Sequence, residues 1–148
     1  MSANRVNGRS RSMSAVNGEG ARREGRTPPR ILVVEDAAAI LALMVDALTF
    51  EGYDIYGTLD AAEAARLITG GTFDVVVSDL VMPGTTGLSL LDTAKRCTRK
   101  TPLILVSGYT TSEDVMDAAR RGAFRVLRKP FPPRLLIDAV QEALSPHA

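Results

Sequence analysis

The chain has 148 residues, enough for one domain with its own hydrophobic core, and its 45% apolar and 24% charged residues are typical of a soluble protein. No apolar stretch approaches the roughly 20 residues that a membrane-spanning helix needs, so we expect no membrane insertion. Residues 1–30 hold seven arginines and two glutamates, whereas residues 31–148 hold 11 basic and 15 acidic side chains. The part expected to fold is therefore mildly acidic, which argues against direct DNA binding.

Cysteine and histidine occur once each, as Cys97 and His147. A single cysteine excludes an internal disulfide and favours a reducing cytoplasm, and the two residues cannot build a His/Cys metal cluster. Residues 1–29 are rich in Ser, Asn, Gly and Arg and show no hydrophobic periodicity. Such a segment cannot bury enough apolar surface to offset its conformational entropy, so we predict a disordered N-terminal extension.

Five short segments have the composition of strands, and the β-branched apolar runs among them are typical of strands buried in a parallel sheet. They are Ile31–Val34, Tyr53–Tyr56, Val75–Val77, Leu103–Val106 and Phe124–Leu127. A segment with apolar residues at helical spacing follows each run. We expect these helices over 37–50, over 60–68 with a capping box at Asp60–Glu63, from about Gly87, after a capping box at Thr110–Glu113, and from Pro132-Pro133 onward.

Strands that alternate with helices at nearly constant spacing predict a parallel sheet with helices on both faces and right-handed crossovers. The predicted fold class is therefore α/β. The flavodoxin-like, doubly wound (βα)5 arrangement with strand order 2-1-3-4-5 is the common solution at this size. We expect residues 30–146 to form this one domain, with no room for a second.

Polar side chains stand at the carboxyl ends of four predicted strands. They are Glu35 and Asp36 after the first strand, Asp79 after the third, Ser107 after the fourth and Lys129 after the fifth. Parallel strands bring these ends to one edge of the sheet, where α/β proteins bind ligands. Three crowded carboxylates call for a hard divalent cation such as Mg²⁺, and an ammonium and a hydroxyl beside it suit a phosphoryl group.

The residues at this edge resemble those of the receiver domains of two-component response regulators. The matching motifs are V-E-D at 34–36, D-L-V-M-P-G at 79–84, S-G at 107–108, G-A at 122–123 and K-P-F at 129–131. The resemblance covers roughly residues 30–146. It implies a signalling domain rather than an enzyme, located in the cytoplasm.

The resemblance also implies a role for each polar residue. Asp79 is expected to accept a phosphoryl group from a partner histidine kinase or histidine phosphotransfer protein. Ser107 is expected to donate its hydroxyl to that group, and Lys129 to pair with it and with Asp79.

The metal expected from the resemblance is Mg²⁺. Its implied ligands are Asp36, Asp79 and the backbone carbonyl of Val81, with Glu35 nearby or acting through water. The peptide bond between Lys129 and Pro130 is expected to be cis, as is usual in this family.

One position departs from the family pattern. The family usually has Tyr or Phe three residues before the lysine, and here Val126 stands there, with Phe124 two residues earlier. The switch by ring rotation is therefore not expected in its usual form. Tyr109, two residues after Ser107, is a candidate to shield the site instead.

Four alternatives remain beside the phosphoryl receiver. An aspartate-nucleophile phosphatase of the haloacid dehalogenase type needs an acid where Val81 stands, and a flavodoxin needs a Ser/Thr-rich loop after the first strand. A receiver that binds partners without phosphorylation normally lacks Asp79 or Lys129, and both are present. A phosphate sink would use the same site without a downstream target.

The output is expected to be a phosphorylation-dependent contact with a downstream protein. In this family the usual contact face is built from the fourth helix, fifth strand and fifth helix. Here it would present a basic surface suited to an acidic partner. Its arginines are Arg120, Arg121, Arg125 and Arg128.

Overall fold

The computed structural model describes residues 3–4, 27–83, 85–97, 99–108 and 111–145. Its five long strands are β1 Arg30–Val34, β2 Asp54–Thr58, β3 Val75–Asp79, β4 Leu103–Ser107 and β5 Arg125–Arg128. Its helices are α1 Ala38–Phe50, α2 Ala61–Gly70, α3 Gly87–Arg96, α4 Ser112–Arg120 and α5 Pro133–Leu144. Within the described ranges, no helix is long and apolar enough to span a bilayer.

The five long strands are parallel, in the order β2-β1-β3-β4-β5. This confirms the predicted α/β fold and the order 2-1-3-4-5. The register aligns the ends of the strands that carry the polar residues. Val34 pairs with Ser78, and Asp79 pairs with Val106. The polar residues that end these strands therefore reach the same edge of the sheet.

The central strands are buried because helices cover both faces of the sheet. Residues of β1 alternate between two hydrophobic clusters, with Ile31 and Val33 on one face and Leu32 and Val34 on the other. Buried residues of α1 and α5 complete the first cluster, and those of α2, α3 and α4 complete the second. Strands buried on both faces explain why their sequences are continuous apolar runs rather than alternating patterns.

Several predicted boundaries differ from the structure by one or two residues, and β2 and the α4 capping box are two examples. Strand β2 continues to Thr58 rather than ending at Tyr56, and Gly57 lies inside it, close beneath α1. A Cβ atom at Gly57 would lie 3.0 Å from the Cγ2 atom of Val45. The α4 capping box also lies one residue later than predicted, because it is formed by Thr111 and Asp114.

The described residues of the N-terminal segment include one strand pairing that we did not predict. Ala3–Asn4 pairs antiparallel with β2, with Asn4 opposite Gly57. Residues 1–2 and 5–26 lie outside the described residues, as does His147. Disorder of the extension and a domain spanning residues 30–146 therefore stay predictions.

Most of the predicted basic surface on α4, β5 and α5 is engaged in ion pairs. Arg121 lies 3.6 Å from Asp92 and 3.4 Å from Asp117, and Arg125 pairs with Glu142. A further contact of 3.9 Å joins Arg120 to Asp117. These arginines are therefore partly neutralised by carboxylates of the same domain.

Candidate functional site

Each polar residue predicted at the sheet edge lies where its strand ends. Glu35 directly follows β1, Asp79 and Ser107 are the last residues of β3 and β4, and Lys129 directly follows β5. Glu35 is 0% exposed, Ser107 2% and Asp79 6%, whereas Asp36 is exposed. Buried polar groups cost free energy unless they are paired, so this concentration marks the edge as a specialised site.

Three carboxylates form an acidic cluster at this edge. One oxygen from each of Glu35, Asp36 and Asp79 lies within 4.8 Å of the others. These are hard oxygen donors in the set that Mg²⁺ prefers, and the exposed Asp36 leaves the cluster open to solvent on one side. The donor set therefore fits the predicted Mg²⁺.

Lys129 places its ammonium between the two buried carboxylates. Its Nζ atom donates to Glu35 Oε1 at 2.9 Å and to Asp79 Oδ2 at 3.3 Å. Burial alone would lower the pKa of Lys129, but the hydrogen bonds and charges of Glu35 and Asp79 outweigh it and raise that pKa. The ammonium therefore stays charged.

Glu35 is held on both of its oxygens. Oε1 accepts from Lys129, and Oε2 accepts from the backbone N–H of Ala37 at 3.2 Å. Burial raises the pKa of the Glu35 carboxyl, while the bond from Lys129 opposes that shift. Glu35 is thus a carboxylate whose charged form depends on neighbouring cations.

The backbone around Asp79 is tightly packed, and this fixes the direction of its side chain. The N–H of Leu80 donates to the carbonyl of Val106 at 2.8 Å, and the N–H of Gly87 donates to the carbonyl of Leu80 at 2.7 Å. A Cβ atom at Gly87 would lie 2.5 Å from the carbonyl oxygen of Asp79. Only glycine fits there without a shift of the backbone.

Val81 follows Asp79 by two residues and is 56% exposed. Its backbone N–H lies 3.4 Å from Asp79 Oδ1. An apolar side chain at this position offers neither an acid nor an amide to orient water.

Three further predictions concern the surroundings of the site. The peptide bond between Lys129 and Pro130 is cis, as predicted. Val126 packs against the cluster that includes α3 and α4, while Phe124 packs on the opposite face, so Phe124 does not replace the missing aromatic residue. Tyr109 lies outside the described residues.

Sequence reasoning missed a second polar cluster, which lies at the carboxyl end of β2, the strand that pairs with β1. Thr58 is fully buried, and its Oγ1 atom donates to Glu63 Oε1 at 2.6 Å and accepts from the N–H of Asp60 at 3.0 Å. The hydroxyl of Tyr56 donates to Glu63 Oε2 at 2.8 Å. Glu63 was predicted as part of a capping box, yet its carboxylate bonds to β2. We call Tyr56, Thr58, Asp60 and Glu63 the Thr58 cluster.

The chain matches known receiver domains in sequence. Residues 31–141 match the family model described as the response regulator receiver domain. Over 119 residues the chain is 36% identical to the DNA-binding transcriptional regulator NtrC of Rhizobium meliloti (strain 1021). This alignment covers 80% of this chain and 25% of NtrC. It is 34% identical over 118 residues to the protein PetR of Rhodobacter capsulatus, covering 80% of this chain and 49% of PetR. The match thus spans half or less of these curated relatives.

Solved structures of receiver domains share the fold. A CheY-like receiver domain protein from Methanospirillum hungatei JF-1 superposes with a TM-score of 0.75 and 31% identity, covering 80% of this chain and 94% of that one. The chemotaxis response regulator CheY4 of Vibrio cholerae gives a TM-score of 0.73 and 28% identity, covering 80% and 100% of the two chains. The chain belongs to the response regulator receiver domain family.

Proposed function

We propose that this protein is a response regulator whose Asp79 accepts a phosphoryl group from a histidine kinase or a histidine phosphotransfer protein. The observation that carries the proposal is the convergence of Glu35, Asp36, Asp79 and Lys129 at one edge of the sheet, with oxygens of the three carboxylates within 4.8 Å of one another. Such a set of acids with an adjacent ammonium suits the transfer of an anionic group.

In the proposed reaction, a carboxylate oxygen of Asp79 attacks the phosphorus of a phosphohistidine. The P–N bond breaks, its electron pair returns to the histidine nitrogen, and Asp79 becomes an acyl phosphate. Because Asp79 is hydrogen-bonded and nearly buried, its carboxylate is already held in place before the donor arrives.

Lys129 and Ser107 are the proposed partners of the transferred group. The ammonium lies 3.3 Å from Asp79 Oδ2, close enough to stabilise negative charge on the phosphoryl oxygens. The carbonyl of Ser107 accepts from the N–H of Lys129 at 2.9 Å, so the two residues are joined directly through the backbone. A shift of the Ser107 backbone toward the phosphoryl group would therefore also move the backbone of Lys129.

The proposed metal is Mg²⁺, held by Glu35, Asp36, Asp79 and the backbone carbonyl of Val81. When bound, it would neutralise the cluster and the charge on the phosphoryl group. The acidic cluster supports this assignment, because three carboxylates are crowded together and the ammonium of Lys129 pairs with two of them, Glu35 and Asp79.

For the output, we propose a cytoplasmic signal carried by a phosphorylation-dependent contact with a downstream protein, without direct DNA binding by this domain. The net acidic composition of residues 31–148 supports this, since a DNA-binding surface is normally basic. The relatives named DNA-binding regulators match this chain over only 24 to 25% of their own length.

Incubation with acetyl phosphate and Mg²⁺ tests the proposal. We expect one acid- and base-labile phosphoryl group per chain, detected by intact-protein mass spectrometry and lost in Asp79→Asn or in excess EDTA. Asp54→Asn is the matched control, because Asp54 begins β2 at the opposite edge of the sheet. Full labelling of Asp79→Asn, or full labelling in EDTA, contradicts the proposal.

A further inference from the structure

The backbone of Thr58 connects the Thr58 cluster to the acidic cluster. Its carbonyl accepts a hydrogen bond from the N–H of Glu35 at 3.2 Å. This bond continues the ladder between β1 and β2 by one residue, because Val34 pairs with Thr58 in the parallel register. The position of the Glu35 backbone therefore depends on where β2 ends.

The side chain of Thr58 fixes that end of β2. Its hydroxyl is both a donor, to Glu63, and an acceptor, from the N–H of Asp60. Hydrogen bonds to a carboxylate are short and strong. The bonds from Tyr56 and Thr58 therefore hold the Glu63 carboxylate of α2 against β2. Thr58 is fully buried, so loss of its hydroxyl would leave Glu63 Oε1 and the N–H of Asp60 to find new partners.

The same cluster also fixes the loop that faces Asp36. Leu59 and Asp60 share with Asp36 the wall of a cavity of about 380 Å³. Asp60 is held on both sides, since its N–H donates to Thr58 and its Oδ1 accepts from the N–H of Ala62 at 2.9 Å. The Thr58 cluster thus borders two of the three carboxylates.

We propose that Thr58 and Glu63 are positioning residues for the metal site, acting on Glu35 through the Thr58 carbonyl and on the surroundings of Asp36 through the 59–60 loop. The proposal rests on the proposed Mg²⁺ site. Groups that orient metal ligands commonly change metal affinity by tenfold or more when they are lost. Neither residue is among the proposed ligands of the metal or the proposed partners of the phosphoryl group.

The test uses ¹⁵N-labelled full-length protein titrated with Mg²⁺ and followed by backbone amide shifts. We expect Thr58→Val, which keeps the shape but loses the hydroxyl, to weaken Mg²⁺ binding about tenfold. It should also shift the Glu35 amide signal before any metal is added. Thr58→Ser restores the hydroxyl and should bring the affinity back toward that of the wild type.

Thr49→Val is the matched control for loss of a buried threonine. Thr49 is 6% exposed near the end of α1, and its substitution should leave the Mg²⁺ affinity unchanged even if it lowers stability. If Thr58→Val does not fold, Glu63→Ala replaces it, because Glu63 is only partly buried. The Glu63→Gln variant keeps a side-chain oxygen that can accept the hydrogen bond from Thr58. The protein with this substitution should therefore bind Mg²⁺ more tightly than the Glu63→Ala variant.

Two results would overturn the inference, and they differ in whether the proposed metal site is rejected as well. A folded Thr58→Val or Glu63→Ala variant with the wild-type Mg²⁺ affinity and an unshifted Glu35 amide signal rejects the positioning role alone. Absence of Mg²⁺ binding in the wild type rejects both this role and the proposed metal site.

Discussion

Lys129 lies closer to Glu35 than to Asp79, at 2.9 Å compared with 3.3 Å. The resemblance implied a pairing with Asp79, and the structure shows one ammonium shared by two buried carboxylates. Lys129 thus supplies, without metal, part of the positive charge that we propose Mg²⁺ to supply when bound.

We expect Lys129→Ala to bind Mg²⁺ at least as tightly as the wild type, because the ammonium repels the cation. Labelling by acetyl phosphate should fall at least about tenfold, because a donor to the phosphoryl oxygens is lost. Thermal unfolding should show a larger stabilisation by Mg²⁺ in the variant, whose carboxylates lack their own cation. Arg128→Ala is the charge-matched control on the adjacent residue. Weaker Mg²⁺ binding with normal labelling would contradict this role.

Gly87→Ala should destabilise the protein by about 1–3 kcal/mol, as overpacking of a filled site does. The new methyl group would meet the Asp79 carbonyl at 2.5 Å and Leu105 Cδ2 at 2.7 Å. Labelling of Asp79 should fall as well, because the backbone that carries it must shift. Gly70→Ala is the control: its Cβ would meet nothing within 4 Å, so helix propensity should leave stability unchanged or slightly higher. Equal melting temperatures for the two variants would refute the packing argument.

Val81→Asn should speed hydrolysis of phosphorylated Asp79 severalfold. An exposed amide beside the acyl phosphate can orient a water, whereas valine cannot. A tenfold faster hydrolysis would correspond to an activation barrier lower by about 1.4 kcal/mol. Phosphate release from the isolated phosphoprotein measures the rate. Phe50→Asn replaces another exposed apolar side chain, at the end of α1, and should leave the rate unchanged. An unchanged or slower rate in Val81→Asn means that this side chain does not control access of water.

Deletion of residues 1–28 should leave folding and phosphorylation intact. The pairing of Ala3–Asn4 with β2 adds few hydrogen bonds, each contributing about 1 kcal/mol, and ordering two residues costs about 1–2 kcal/mol each. The deletion keeps Pro29, whose carbonyl accepts from the N–H of Asp54 at 2.9 Å. A fall in melting temperature of more than about 5 °C, roughly 1 kcal/mol for a domain of this size, would show that the extension contributes to the stability of the domain.

The placement of the polar site residues at the carboxyl ends of the strands could be predicted from sequence, because a buried parallel strand is a local apolar run and polar residues follow that run directly. The run at Val75–Val77 and the change at Ser78-Asp79 needed no long-range information. Convergence of the site followed from topology, since parallel strands place their carboxyl ends together.

Features that depend on register could not be predicted in the same way. The capping box of α4 was predicted at Thr110–Glu113, and the structure shows that Thr111 is the cap. Glu63 was predicted to reach its own helix cap, but the hydroxyls of Tyr56 and Thr58 outcompete it. That competition becomes visible only once the end of β2 is fixed beside α2.

The ion pairs of Arg121 and Arg125 on α4, β5 and α5 affect how a partner would find that surface. A positive charge beside a carboxylate of the same domain forms a dipole, whose field falls off faster with distance than that of a free charge. At physiological ionic strength the Debye length is only about 8 Å, so little attraction extends into solution. Binding at this face should therefore depend on shape and close contact, and its association rate should vary little with salt.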